Sequence, residues 1–474
     1  MMSNIYRSFY INGQWQPSTG SELRQVINPA TEELIAEVVD GTVADVDAAV
    51  NAARSAFERW SVTPAAEREG LISALKGALK ARAEELAVTL SAEMGMPLAM
   101  ARSWQVSGPL YALGLYAKRA HLMDQVEEVG SALIVKEPVG VCGFITPWNV
   151  PLGQLVGKVA PALAAGCTMV LKPSEITPLH AFIFAEAIDA VGFPAGVFNL
   201  VCGDGPTVGE AICTHPEVDM VSFTGSTRAG VRVAELAAPS VKRVCQELGG
   251  KSPLLITEDA DLAAAVEFGV RDVMVNSGQV CCALTRMLVP QSRYEEAIAL
   301  AKMAAEALQQ GLPDDPHAYL GPLSSKIQYQ RVRQMISQGI DEGATLVTGG
   351  LDRPTGFQRG YYVCPTIFAN VNNQMGIARH EVFGPVLCMI PYQDIEQGVA
   401  IANDTPYGLA AAVWAGDKKQ ALALARRLRA GQVSINGGDW NYELPFGGYK
   451  QSGNGREWGD EGLREFIELK AIRG

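Results

Sequence analysis

Histidine is scarce in this chain, with five scattered over 474 residues and neither an HExxH nor a Cys/His cluster among them. No metal site is therefore expected. The nine cysteines fall at irregular spacings without a CxxC, and an odd count without a framework speaks against a secreted disulfide scaffold. Long apolar runs are also missing. The longest lies between Lys158 and Lys172, from Val159 to Leu171. It falls short of the roughly 20 residues a membrane span needs and reads as a buried helix running into a strand. The start, MMSNIYRSFYINGQW, has no apolar core followed by a small-residue cleavage site, so no signal peptide is expected. Positive charge is short too: 39 Lys+Arg against 51 Asp+Glu give −12, and nucleic-acid binding needs a basic face. A cytoplasmic protein with neither nucleic acid nor membrane as partner is the expectation. A hydrophobic fraction of 48% excludes disorder, and the length suggests about three domains, or two large ones.

What is present is patterned. Val43, Val46, Val50, Ala53, Phe57 and Trp60 recur at helical spacing, and Thr42 with Asp45 forms a capping-box pattern before them. Pro64 through Ala92 reads as one long amphipathic helix, and a short strand is expected near Tyr10–Trp15. The first quarter is thus expected to be helical after one strand. From Leu133 short apolar runs alternate with helices. SALIVKEPVGVCGFI reads as two strands broken at Pro138, CTMVLK and GVFNLV as buried strands, and DMVSFTG as a strand opening a helix over 227–238. A second set follows Glu247, with helices over 262–276 and 294–310 around a strand at Met287–Val289, and the tail Ile467–Ala471 alternates as a terminal strand. Strand–helix alternation implies parallel, doubly wound sheets, and a cleft between two such halves is the default ligand site.

Several residues could carry chemistry. Cys281 and Cys282 lie in the polar loop NSGQVCCALTR; they fit either two core cysteines or a thiolate nucleophile. Glu247 in CQELGGKSP fits a solvated turn or a general base. Asn149 in ITPWNVPL fits a turn residue or an amide donor to an oxyanion. FTGSTRAG puts Gly225 and Ser226 where a strand meets a helix N-terminus, a setting for phosphate, and LKPSE puts Lys172 and Glu175 at a strand end, where ribose contacts are usual.

Together these segments resemble the aldehyde dehydrogenase superfamily nearly end to end. The motifs are PWN at 147–149, KPSE at 172–175, FTGS at 223–226, ELGGK at 247–251, GQVC at 278–281, EVFGPV at 381–386 and PFGGYKQSGNGRE at 445–457, in that order. The resemblance implies an α/β fold: a Rossmann-like dinucleotide-binding domain over 1–120 and 142–246, an α/β catalytic domain over 247–444, and a β oligomerisation arm from 121–141 and 455–474. It implies NAD-dependent oxidation of an aldehyde to the acid through a cysteine thiohemiacetal and thioester. Cys281 would be the nucleophile, Asn149 an oxyanion donor, Glu247 the base, and Lys158 with Glu457 a proton relay. Cofactor ligands would be Ile145, Thr146, Pro147, Trp148, Lys172, Ser174, Glu175, Thr224, Gly225, Ser226, Leu248, Glu381 and Phe383. Glu175 would repel a 2′-phosphate, so NAD is expected, with NADP as the alternative. The substrate tunnel would be lined by Val150, Gln154, Gly157, Val280, Cys282, Trp440, Tyr442 and Phe446. Val150 and Gly157 stand where many relatives carry aromatics, so the tunnel is expected to be apolar and widened on that side. None of these residues is basic, which favours a medium-sized apolar or aromatic aldehyde over a charged one. A homodimer or homotetramer is expected. The competing readings are a CoA-acylating relative and a non-catalytic structural protein on the same fold.

Overall fold

The structure is a computed structural model, and it describes residues 4–474. Two large sheets organise it. The first has six strands in the order Phe198–Leu200, Thr168–Lys172, Val141–Ile145, Met220–Thr224, Arg243–Glu247 and Gly453–Asn454, all parallel except the last. The chain winds outward in one direction from Val141–Ile145 and in the other from Met220–Thr224. The crevice between their carboxyl ends is the switch point at which such sheets bind ligands. The second sheet has seven strands, ordered Thr345–Thr348, Thr366–Ala369, Val386–Tyr392, Arg286–Pro290, Pro253–Ile256, Ala410–Trp414 and Gln432–Ile435. Only its first strand is antiparallel. The central strands Val141–Ile145, Thr168–Lys172, Met220–Thr224, Pro253–Ile256 and Arg286–Pro290 are buried along their length and mostly apolar, as strands covered on both faces must be.

The capping box at Thr42 is formed, with Asp45 closing it reciprocally over the helix Val43–Trp60. The helix Pro151–Ala165 is buried along its whole length and leads into Thr168–Lys172. The sequence reading is corrected at four places. The expected strand near Tyr10–Trp15 is a hairpin, Ser8–Ile11 with Gln14–Pro17, turned at Asn12-Gly13, both with positive φ. The first quarter is not helical after one strand: Asn4–Tyr6, Leu34–Val39 and Leu23–Ile27 form a three-stranded sheet. The long helix from Pro64 is two, Ala65–Ala81 and Ala83–Met94, broken at Arg82 with φ −105 and ψ 17. Arg82 ties its guanidinium to Glu85 and Glu186; a break of one residue barely disturbs the apolar spacing, so the periodicity hides it. The helix from Tyr294 ends at Glu306, short of Gln310.

A separate three-stranded ribbon pairs Ala132–Pro138 with Ile467–Ile472 on one side and Glu127–Val129 on the other. The terminal strand thus finds its partner within its own chain. Residues 455–466 do not join the ribbon: the helix Gly459–Arg464 packs on the helix Pro151–Ala165. Among the described residues, no helix is long and apolar enough to cross a membrane.

Candidate active site

The motif residues converge at the switch point. A cleft of about 140 Å³ is lined by Pro147, Trp148, Asn149, Gln154, Thr224, Gly225, Ser226, Glu247, Leu248, Cys281, Glu381 and Phe383, with Gly249, Gln328 and Arg331 completing it. Pro147 to Asn149, Thr224 to Ser226 and Glu247 to Gly249 arrive from strand ends or the loops that follow them, Gln154, Gln328 and Arg331 from helices, and Cys281, Glu381 and Phe383 from loops that follow helices. Asn149 follows Val141–Ile145, Gly225 and Ser226 follow Met220–Thr224, and Glu247 closes Arg243–Glu247.

Cys281 is fixed by an unusual loop. Asn276, Ser277 and Gly278 have φ of 51, 54 and 74, a left-handed run that turns the chain out of the helix Leu262–Met274. Gly278 must be glycine: a Cβ there would lie 2.0 Å from the carbonyl oxygen of Gly384. The GQVC and EVFGPV motifs thus meet backbone to backbone. Gln279 is fully buried, bonding the Asn276 carbonyl and accepting from the Ser324 amide. The Asn149 amide donates to the Gln279 carbonyl at 3.0 Å, leaving its second N–H for another acceptor. The Cys281 thiol is pushed well above its usual range by contact with the Cys282 sulfur, by burial, and by the Glu381 and Glu247 carboxylates.

Glu247 is 5% exposed, and neither carboxylate oxygen has a hydrogen-bond partner. Burial and the Glu457 charge push it well above the ordinary carboxylate range, opposed by Lys158 and Arg456. Lys158 Nζ stands 2.5 Å from Glu457 Oε1 and 3.1 Å from Ser222 Oγ. This pair lies behind Glu247, away from the Cys281 cleft.

The cofactor candidates fall into two groups. Ser226 caps the helix Thr227–Ala237 by accepting from Ala229, leaving the first-turn N–H groups at the cleft. Leu248 packs over Gly230, and Thr224 bonds Gln154. Glu381 accepts from the Gly250 amide, and burial pushes its carboxyl up to about 7. Phe383, at φ 56, meets Trp148 edge to face at 5.3 Å. Lys172, Ser174 and Glu175 lie outside this cleft, at the end of Thr168–Lys172. Lys172 Nζ is held by the Gly203 and Pro173 carbonyls and by Glu175 at 3.4 Å. Ile145 is buried in its strand, and Thr146 Oγ1 is buried without a partner. A nucleotide fits this donor set: a positive helix end, an orphaned hydroxyl and two carboxylates spaced along a strand-end crevice.

The tunnel candidates are only partly gathered. Of them, Gln154 alone lines the cleft. Trp440, Tyr442 and Phe446 form one aromatic group, with Trp440 5.4 Å from Phe446 and 5.8 Å from Tyr442. Val280 packs on the second sheet's core, Cys282 on the first's, and Val150 precedes the helix Pro151–Ala165. Gly157 does not widen anything. A Cβ built on it would meet the Trp458 ring at 3.0 Å, so the indole fills the space the missing side chain leaves. Trp458, Gln328 and Arg331 escaped sequence reasoning. Gln328 and Arg331 share a helix face at i, i+3 but sit in no motif, with Gln328 bonding the Phe383 carbonyl and Arg331 that of Glu381.

Comparison with known proteins gives the family. The aldehyde dehydrogenase family profile matches residues 15–472. The chain belongs to the aldehyde dehydrogenase family. This places it among oxidoreductases. A 3-succinoylsemialdehyde-pyridine dehydrogenase from a Pseudomonas species is 51% identical over 99% of this chain and 98% of its own length. The crystal structure of aldehyde dehydrogenase C from Pseudomonas syringae, a cysteine-to-alanine mutant in complex with NAD+ and octanal, superposes with a TM-score of 0.96 at 49% identity, covering 98% of this chain and 96% of that one. An aldehyde dehydrogenase from Mycobacterium tuberculosis complexed with NAD+ gives 0.96 at 42% identity, covering 99% and 98%.

Proposed function

We propose that this chain is an NAD-dependent, hydrolytic aldehyde dehydrogenase acting on a medium-sized apolar or aromatic aldehyde. The observation that carries the reading is that Cys281 and Glu247 face one cleft, with the Asn149 amide beside them. The Cys281 sulfur attacks the carbonyl carbon, with Glu247 as proton acceptor. Asn149 Nδ2 and the Cys281 N–H hold the oxyanion, each donor worth on the order of a hundredfold in rate. NAD bound at the switch point would supply the hydride acceptor and a positive charge beside the thiol. The Cys281 thioester is then hydrolysed by water that Glu247 deprotonates.

NAD is supported by NAD+ complexes among similar structures and by Glu175 at the strand end, where it would bond a ribose 2′-OH and repel a 2′-phosphate. The substrate class is supported by the octanal and pyridine-semialdehyde relatives. The ribbon exposes Val129, Leu469 and Ile472 along strands whose outer edges are unpaired, which supports a homo-oligomer, dimer or tetramer. Nine free thiols fit a reducing cytoplasm.

The test is product analysis with NAD or NADP, with and without CoA, across aliphatic, aromatic and charged aldehydes. Carboxylate formation independent of CoA is expected. CoA-dependent acyl-CoA, or succinic semialdehyde outpacing every uncharged aldehyde by about tenfold in kcat/KM, would overturn the reading.

A further inference from the structure

Behind Glu247, on the side away from Cys281, lies a small cavity of about 10 Å³, space for about one water molecule. Its walls include Glu247, Lys158, Glu457, Cys245, Arg456 and Glu465. Glu247 and Glu457 are both buried, and both Glu247 oxygens and Glu457 Oε2 lack partners. Glu465 is the one of the three lining carboxylates that reaches solvent, being half-buried. Its Oε1 accepts the Arg456 amide at 2.9 Å and its Oε2 accepts the Cys245 thiol at 3.0 Å. A carboxylate has about four lone-pair positions, so each oxygen keeps room for a further donor. The charged groups around it are Arg456 and Glu457 on its approach, Arg243 beside Cys245, and Lys158 and Glu247 across the cavity. Arg243 is committed elsewhere: it bonds the Glu465 and Ile467 carbonyls and pairs with Glu468.

The hydrolytic reading, on which this inference rests, requires an exit. Aldehyde, NAD+ and water become carboxylate, NADH and two protons, and Glu247 has no exposed surface of note through which to lose its own. We propose that Glu465 is the proton-exit residue of this enzyme. In deacylation the water oxygen bonds to the thioester carbon, its proton goes to Glu247, and the C–S bond breaks to release the Cys281 thiolate. Glu247 then passes its proton to water in the rear cavity, beside the Lys158–Glu457 pair. That water passes one of its own to the Glu465 carboxylate, which loses it to solvent. The acid product's remaining proton goes to the Cys281 thiolate, and the proton that Glu247 took from the thiol in acylation leaves by the same route before water attacks, so two protons exit per turnover and each station returns to its starting charge. Glu465 touches neither substrate nor cofactor and acts through Glu247.

The experiment compares wild type with Glu465→Gln, which keeps an acceptor for the Arg456 amide. Stopped flow reads first-turnover NADH, and rapid quench reads acyl-enzyme decay. NADH formation is expected to stay within about twofold, while decay slows about tenfold near pH 6.5 or so. The slowing should shrink as pH rises or as imidazole is added, since both take the proton directly, and Glu465→Asp should restore much of the rate. Wild-type decay with an unchanged pH profile would overturn the proposal. So would a loss of NADH burst and decay together that neither pH, imidazole nor the aspartate relieves, because that marks a structural role. Should the glutamine variant fail to fold, the aspartate variant carries the same comparison, with a smaller slowing expected and an unchanged profile overturning it. A wild-type enzyme that releases acyl-CoA would sink the hydrolytic reading and this proposal with it, whereas normal decay in Glu465→Gln sinks the exit alone.

Discussion

The indole of Trp458 lies against the bare Cα of Gly157, so close that a Cβ there would approach its ring to 3.0–3.1 Å. Trp458 is buried, edge to face with Tyr442 at 4.9 Å, and sits at φ 62, ψ 169, a conformation that costs a non-glycine residue about 1–3 kcal/mol. Gly157→Trp should therefore lower stability by about 1–3 kcal/mol or more through overpacking. Adding Trp458→Gly should recover much of that loss, because glycine accepts φ 62 and frees the volume. Denaturant unfolding of the two single variants and the double gives the coupling; simple additivity would show that the two residues do not share this space.

Cys281→Ala should abolish aldehyde oxidation, by about a thousandfold or more, while NAD binding by fluorescence is retained. Cys282→Ala should remain active. Because the Cys282 sulfur is the largest influence raising the Cys281 thiol, removing it should also shift alkylation of Cys281 by iodoacetamide to lower pH. Survival of activity in Cys281→Ala would transfer the nucleophile's role to Cys282.

Glu247 must be ionised to act as a base, and burial with Glu457 raises it well above the ordinary range. Deacylation should thus fail as pH drops through that raised value, on an acid limb far above that of a free glutamate. Glu457→Gln removes a raising charge and should move the limb to lower pH; Lys158→Met removes a lowering one and should move it higher. Glu247→Gln should lose turnover by about 10²–10⁴, with first-turnover NADH slowed as well because Glu247 also takes the thiol proton. A limb that ignores all three substitutions would exclude Glu247 as its source.

Glu381 is raised to about 7 by burial, against the Gly250 amide and Arg331. If its carboxylate accepts from ribose hydroxyls, NAD affinity should strengthen as pH rises through about 7. Glu381→Gln should weaken NAD by about tenfold above that pH, the loss of a charged hydrogen bond, and flatten the dependence. Titration calorimetry across the range checks both; an unaltered pH slope in the variant would remove Glu381 from the ribose site.

Much of this protein was legible locally. Thr42 and Asp45 announced their capping box, the buried strands their apolar runs, and the ordered motifs the family, whereas Asn149, Glu247 and Cys281 taken singly left their roles open. What failed locally did so for local reasons as well: Asn12-Gly13 is a two-residue turn inside an apolar run, and Arg82 breaks a helix without breaking its apolar rhythm.

The sequence by itself determined the family and the two wound sheets, because these depend on short segments whose spacing and composition are self-contained. Only the tertiary structure decided that Gly157 is filled by Trp458, that Gly278 rests on Gly384, and that Glu465 reaches the cavity behind Glu247. Those relations are matters of volume and solvent access between segments far apart in the chain. No local pattern encodes them, since a glycine's missing side chain gives no sign of what will occupy its place, and a surface glutamate gives none of the cavity at its back.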